Sequence, residues 1–261
     1  MPEIVSPEVA DLLNEKYIKF NSLDFIATDP ICIPHRYSQK QDIEISGFFA
    51  AILAWGQRKT IINKCSELLE KMDNAPYEFV KNANSNEIKK LETFVHRTFN
   101  FVDLLYFLEF FKAHYTKHAS LESAFLNKGN KDENLKMNLI HFKEYFFSLE
   151  DSPKRTQKHI SSPASNSACK RINMYLRWMV RRDNKGVDFG IWNSILPSQL
   201  IIPCDIHVEN IARKLKLTTR PKADWKMAEE ITNTLRILDP EDPTKYDFAL
   251  FGMGIEKYFG T

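Results

Sequence analysis

Through most of this chain apolar residues recur at intervals of three and four, the spacing that lines one face of an α-helix, and few stretches show the alternation of a half-buried strand. Glycine is sparse, at 8 of 261 residues. The fold expected is therefore all-α, with helices near 6–20, 42–55, 59–73, 101–118, 135–149, 168–182, 205–215, 224–237 and 244–257. Local start signals agree. Ser6-Pro7-Glu8 supplies an N-cap, a proline at the first helical position and an early acid, and Thr244 is placed to cap the last helix. No internal repeat is visible.

A chain of this length with 43% hydrophobic residues can bury a full core, as one large domain or as two lobes sharing a cleft. Aromatic residues make up 12%, with 19 Phe, and the series Tyr106, Phe107, Phe110 and Phe111 reads as core. The four cysteines show no zinc-ligand spacing, which leaves free thiols as the expectation. His114 and His118 have the i, i+4 spacing of a metal pair, but no third ligand accompanies them, so no metal is expected. The opening residues lack a signal-peptide pattern and no segment has the apolar length of a membrane span, which makes a bacterial cytoplasmic address and no membrane partner the expectation.

The net charge of +2 is too small to announce a nucleic-acid partner by itself, so the distribution of charge carries the argument. Between Asp151 and Lys185 nine basic residues face two acids, a local net of +7 that leaves −5 for the rest of the chain. Within it, KRTQKHISSPASNSA reads as a polar loop that feeds an apolar helix beginning near Ala168. A basic loop entering a helix N-terminus suits a phosphate, because free backbone N–H groups and the helix dipole both favour an anion there. A solvated basic surface is the plainer alternative.

Two further segments narrow the choice. FFAAILAWGQRKTIINKCSELLEKM, from Phe48 to Met72, is an apolar helix that stops at Trp55-Gly56, turns through Gln57-Arg58-Lys59-Thr60 and resumes as an amphipathic helix. Further on, the apolar run Leu200-Ile201-Ile202-Pro203-Cys204 delivers Asp205 to the start of a helix that continues through His207. CDIHVENIARKLKL resembles the VDTHV-R-RLGL signature of the helix-hairpin-helix DNA glycosylase superfamily, which includes endonuclease III and the 8-oxoguanine glycosylases. CKRINMYL is similar to the R-K-T-A-N-x-x-L segment that follows the family's hairpin, and LAWGQRKTIINK resembles its L-S-A-Q-T segment. The resemblance spans roughly residues 45–255. Its spacing is closest to the archaeal 8-oxoguanine glycosylases, and it points to a bacterial branch of the superfamily.

The resemblance implies a two-lobed helical glycosylase-like fold, in which N- and C-terminal helices pack together and a central bundle spans about 45–180. It implies Lys170 as nucleophile and Asp205 as catalytic carboxylate. Gln57, Arg58, Lys59, Arg171, Asn166, Ser167 and His207 become DNA contacts, with Trp55 and Asp247 as base-recognition candidates. The partner implied is double-stranded DNA bearing a damaged base, met by a monomer with no cofactor. The family's C-terminal iron–sulfur cysteines have no counterpart, since the last cysteine is Cys204. The L-P-G-x-G hairpin is replaced by Ala164-Ser165-Asn166-Ser167-Ala168, without the glycines that ordinarily supply positive-φ backbone.

The chemistry explains the residue types. Excision of a flipped base proceeds through a cation-like state at the anomeric carbon, which a carboxylate stabilises. A lysine amine can attack that carbon and form a Schiff base. With an ordinary pKa near 10.4 only about 0.04% of a lysine is neutral at pH 7, so its surroundings, Arg171 among them, must favour the free amine. The expected activity is thus base-excision glycosylase and AP lyase on an oxidised purine such as 8-oxoguanine. The alternative is a non-catalytic DNA- or RNA-binding protein on the same scaffold, in which Asp205 is only an N-cap and Lys170 only a phosphate contact.

Overall fold

The computed structural model describes residues 5–127 and 134–260, and these are mostly helical. In chain order the helices are α1 (Pro7–Phe20), α2 (Leu23–Thr28), α3 (Lys40–Ile52), α4 (Arg58–Lys71), α5 (Pro76–Asn82), α6 (Ser85–Lys89), α7 (Phe101–Lys117), α8 (Lys136–Phe146), α9 (Lys170–Val180), α10 (Ile206–Lys214), α11 (Trp225–Arg236) and α12 (Asp247–Ile255). One antiparallel hairpin, β1 (Val95–His96) with β2 (Phe99–Asn100), interrupts them. The nine helices expected from periodicity are all present. The additions are short: α2, α5 and α6 have six, seven and five residues, too few to display a helical repeat.

The caps show why several helices begin where they do. Ser6 accepts a hydrogen bond from the Val9 amide ahead of Pro7. Asn100 and Asp103 form a capping box at α7, and Asn84 and Glu87 form one at α6. Two boundaries correct the sequence reading. The first apolar helix ends at Ile52 rather than 55, because Gly56 takes φ +110° and turns the chain towards α4. Thr244 does not cap α12: it sits buried inside a 3-10 turn, Pro243–Tyr246, that runs straight into the helix, so no extended cap residue precedes Asp247. The expected polar loop of 154–168 likewise contains two 3-10 turns, Lys154–His159 and Pro163–Ser165, and the helix after it starts at Lys170.

Two compact units divide the described residues. Residues 5–25, 134–137 and 162–260 form the first, and 26–127 with 138–161 form the second. In the first, α12 is the hub. Gly252 lets Phe20 of α1 lie against it, since an added Cβ would fall 2.2 Å from the ring, and Gly254 admits His207 of α10, whose Cβ would be 2.6 Å away. In the second, α3 buries every residue from Ile43 to Ile52, as a helix that is apolar on all sides must. Its Phe48 and Phe49 meet Phe107 and Phe111 of α7, and Phe48 also meets Phe142 and Phe146 of α8. Tyr106, Phe107, Phe110 and Phe111 are core. Glu44, wholly buried, accepts from Tyr115 Oη (2.8 Å), Ser120 Oγ and the Leu121 amide (3.0 Å), which answers its charge.

Among the described residues no helix is long and apolar enough to cross a membrane. The four cysteines form no disulfide.

Candidate functional site

Three helices of the first unit begin with a residue singled out in the sequence. Lys170 is the first residue of α9, Asp205 caps α10 and Asp247 opens α12. Asp205 uses its oxygens differently. Oδ1 accepts from the amides of His207 (2.9 Å) and Val208 (3.0 Å), which fixes the carboxylate against the helix, while Oδ2 lies 3.7 Å from Lys170 Nζ. The Lys170 and Asp205 side chains retain 29% and 18% exposure, so a ligand can reach both.

Asp247 sits deeper. It is 5% exposed, and Arg177 Nη1 donates to its Oδ2. Burial pushes its carboxyl up to about 7; Arg177 and Lys170 draw it back, and the like charge of Asp205 adds to the rise. Its charge therefore senses both other groups. Arg177 lies two helical turns beyond Lys170 on α9, is buried, and is held from the other side by Asp188 Oδ1 at 3.3 Å. Neither Arg177 nor Asp188 was a site candidate in the sequence; the seven-residue step from Lys170 to Arg177, which returns to the same helix face, was the available signal.

The loop at 164–168, which has no glycine, contains positive-φ backbone. Asn166 has φ +56° and ψ 25°, and Cys169 has φ +50°. Positive-φ backbone is thus present without glycine, because asparagine tolerates the left-handed region. The loop is tethered. Asn166 Nδ2 donates to Asp224 Oδ2 (2.9 Å), the Trp225 amide donates to Asn166 O (3.2 Å), and Asn173 Nδ2 donates to Ala168 O (3.1 Å). Ser167 Oγ accepts from the Cys169 amide at 3.2 Å. Arg171 follows Lys170 and is desolvated enough to lower its guanidinium below the ordinary value. His207 contributes its amide to Asp205 and sets its ring against Phe251, edge-on at 5.8 Å.

Trp55, Gln57, Arg58 and Lys59 belong to the second unit. Gln57 is the exposed N-cap residue of α4 and makes no capping bond with its side chain, Lys59 is exposed, and Arg58 is half-buried. Trp55 lies edge-on to His96 (6.0 Å) and His159 (6.2 Å). The structure therefore gathers Lys170, Asp205 and Asp247, with Asn166, Ser167, Arg171 and His207 in the same unit, while Trp55, Gln57, Arg58 and Lys59 belong to the other. His114 has no nitrogen to offer a metal: Nδ1 meets Tyr145 Oη and Nε2 meets Ser120 O, each at 3.0 Å. No group of three or more potential metal ligands occurs among the described residues.

Residues 29–256 match the family described as "Protein of unknown function (DUF2400)", and the chain belongs to that family. No curated protein and no solved structure matches it.

Proposed function

We propose that this DUF2400 chain is a base-excision DNA glycosylase with AP lyase activity, acting on an oxidised purine such as 8-oxoguanine in double-stranded DNA and built on a helix-hairpin-helix glycosylase fold with a degenerate hairpin. The observation that carries the reading is the approach of Lys170 Nζ to Asp205 Oδ2, 3.7 Å across the starts of two helices whose residues are 35 apart in the sequence. The positive-φ Asn166 just before Lys170 supports it, since it restores the backbone form that a phosphate-gripping hairpin uses.

In this mechanism the neutral Lys170 amine attacks C1′ of the flipped nucleotide as the N-glycosidic bond breaks, its electron pair leaving on the base. The Asp205 carboxylate stabilises the positive charge that builds on the sugar and accepts a proton from Nζ. Opening of the sugar ring converts the amine adduct into a Schiff base. Loss of a C2′ proton then expels the 3′ phosphate by β-elimination. Asp247, buried behind the pair, supplies a carboxyl poised near neutrality for the flipped base.

Borohydride trapping and single-turnover cleavage on an 8-oxoguanine duplex, within a panel of lesions, test this. Lys170→Gln should abolish both trapping and cleavage while keeping duplex affinity. Asp205→Asn keeps an N-cap, because asparagine caps as well as aspartate, yet should slow excision by about 10² to 10³. A folded Lys170→Gln that still traps DNA would remove Lys170 from the role. A wild-type protein that binds duplex yet processes no lesion would favour the non-catalytic binding protein instead.

A further inference from the structure

The basic segment that suggested a nucleic-acid partner mixes buried, paired cations with exposed ones. In the first unit Arg177 and Arg181 are buried and consumed: Arg177 by Asp188 and Asp247, Arg181 by Asp183 (2.8 Å), Asp188 (3.1 Å) and Asp242 (2.9 Å). Arg182 and Lys185 of that unit are exposed, and in the second unit so are most of the segment's cations. The 3-10 turn Lys154–His159 buries only Thr156 and His159, which meet Asp103 at 2.7 and 3.3 Å, and leaves Lys154, Arg155 and Lys158 facing outward.

Arg155 joins that turn to the β1–β2 hairpin. Its guanidinium donates to Thr98 O at 3.0 Å and to Asn100 Oδ1, and pairs with Asp103 at 3.1 Å. At the tip of the hairpin stands Arg97, exposed, with φ +54°. A two-residue hairpin turn favours Gly, Asn or Asp in such a conformation, and a long side chain held there costs backbone energy. The Arg97 guanidinium lies over the Trp55 ring at 5.6 Å and against Gly56, whose Cβ, if present, would meet its Nη2 at 3.0 Å. Gly56 is thus small where the arginine needs room, and Lys59 follows three residues later. Among the described residues no carboxylate forms an ion pair with Arg97, Lys59, Lys154 or Lys158.

We propose that the Arg97 hairpin tip, seated on Trp55 and Gly56 and continued by Lys59, Lys154 and Lys158, is a duplex-DNA interface that holds the phosphodiester backbone. These cations supply the charge, and the Trp55–Arg97 stack presents a stiff planar guanidinium, the group best shaped for two phosphate oxygens. This surface rests on the DNA reading above, yet it is separable from catalysis, since it contains neither Lys170 nor Asp205.

Fluorescence anisotropy with a labelled, undamaged duplex, titrated from about 50 to 200 mM salt, tests it. Arg97→Asn keeps a residue that tolerates the left-handed turn, and Lys154→Ala with Lys158→Ala changes only exposed positions; circular dichroism checks that each variant folds. For each phosphate that a variant can no longer neutralise, the slope of log affinity against log salt should fall in magnitude by about 0.9. The combined variant should therefore bind markedly more weakly and with less salt dependence than wild type. Unchanged affinity and slope in the folded combined variant would overturn the surface even if wild type traps a lesion. Weakened binding in the combined variant, with no lesion trapped by wild type, would uphold the surface and overturn the glycosylase reading. A wild-type protein with no duplex affinity at low salt would overturn both.

Discussion

Asp205 shows how one residue answers two demands. As an N-cap its Oδ1 takes two backbone N–H groups, a use that aspartate has in countless helices, and that use turns Oδ2 towards Lys170. Asp247 has the reverse character: its helix does not need it, and burial raises its carboxyl from the ordinary range to about 7. In the unfolded chain the same carboxyl ionises near 4, so between about pH 4 and 7 the folded protein keeps a proton that the unfolded chain has released. Stability contributed by this group is therefore present at low pH and declines as pH rises through that window. Asp247→Asn cannot ionise and should flatten the decline. Urea unfolding of Asp247→Asn and wild type at about pH 5 and about pH 8 measures the difference; Asp242, raised by burial to about 6, acts in the same direction as Asp247, and His114, lowered by burial to about 4, in the opposite one. An unchanged slope in Asp247→Asn would mean that this carboxyl is already ionised in the fold.

Elements position these residues through packing that composition does not announce. The register of α10 on α12 depends on Gly254, where an added Cβ would lie 2.6 Å from His207 Cβ and 3.0 Å from its Cα. Backbone cannot yield as a flexible side chain can, so Gly254→Ala should separate the two helices at a cost of about 1–3 kcal/mol. His207 is two residues from Asp205, and the same substitution should lower the trapping rate by more than the loss of folded protein explains. Thermal melts beside trapping at a temperature where the variant is fully folded would show it; normal trapping by a destabilised variant would confine Gly254 to packing. The loop at 164–168 offers a parallel case. It is held by Asp224, which also caps α11 through the Met227 amide at 2.9 Å, so the loop and the helix start share one carboxylate.

At the scale of the whole chain, charge is the quantity that sequence and structure divide most sharply. Nine basic residues between 151 and 185 look alike in a list of letters. In the fold, Arg181 is wholly buried among Asp183, Asp188 and Asp242, with Tyr17 Oη accepting from Nη2 at 2.9 Å. Arg181→Ala would leave three carboxylates without their shared cation, and loss of one partner from a buried ion group typically costs about 3–5 kcal/mol. Chemical denaturation should register that loss directly, whereas Lys158→Ala, at an exposed position, should leave the midpoint almost unchanged. Equal midpoints for the two variants would refute the division of this segment into structural and surface charge.

The helical class, nine helix positions, the aromatic core and the capping role of Ser6 were legible in the letters, because each depends on spacing or on residues three or four apart. Lys170, Asp205 and Asp247 were nameable as candidates, the first two from local motifs that resemble a known family. Their meeting was not, since it joins helix starts 35 and 42 residues apart, and only packing on α12 decides which ends converge. The positive φ of Asn166 and Cys169 was hidden because neither is glycine and the tethers that hold the loop come from α9 and α11. The fate of each arginine was hidden for a related reason: a cation is a surface charge or a buried partner according to where distant carboxylates are brought, and that is settled by tertiary structure alone.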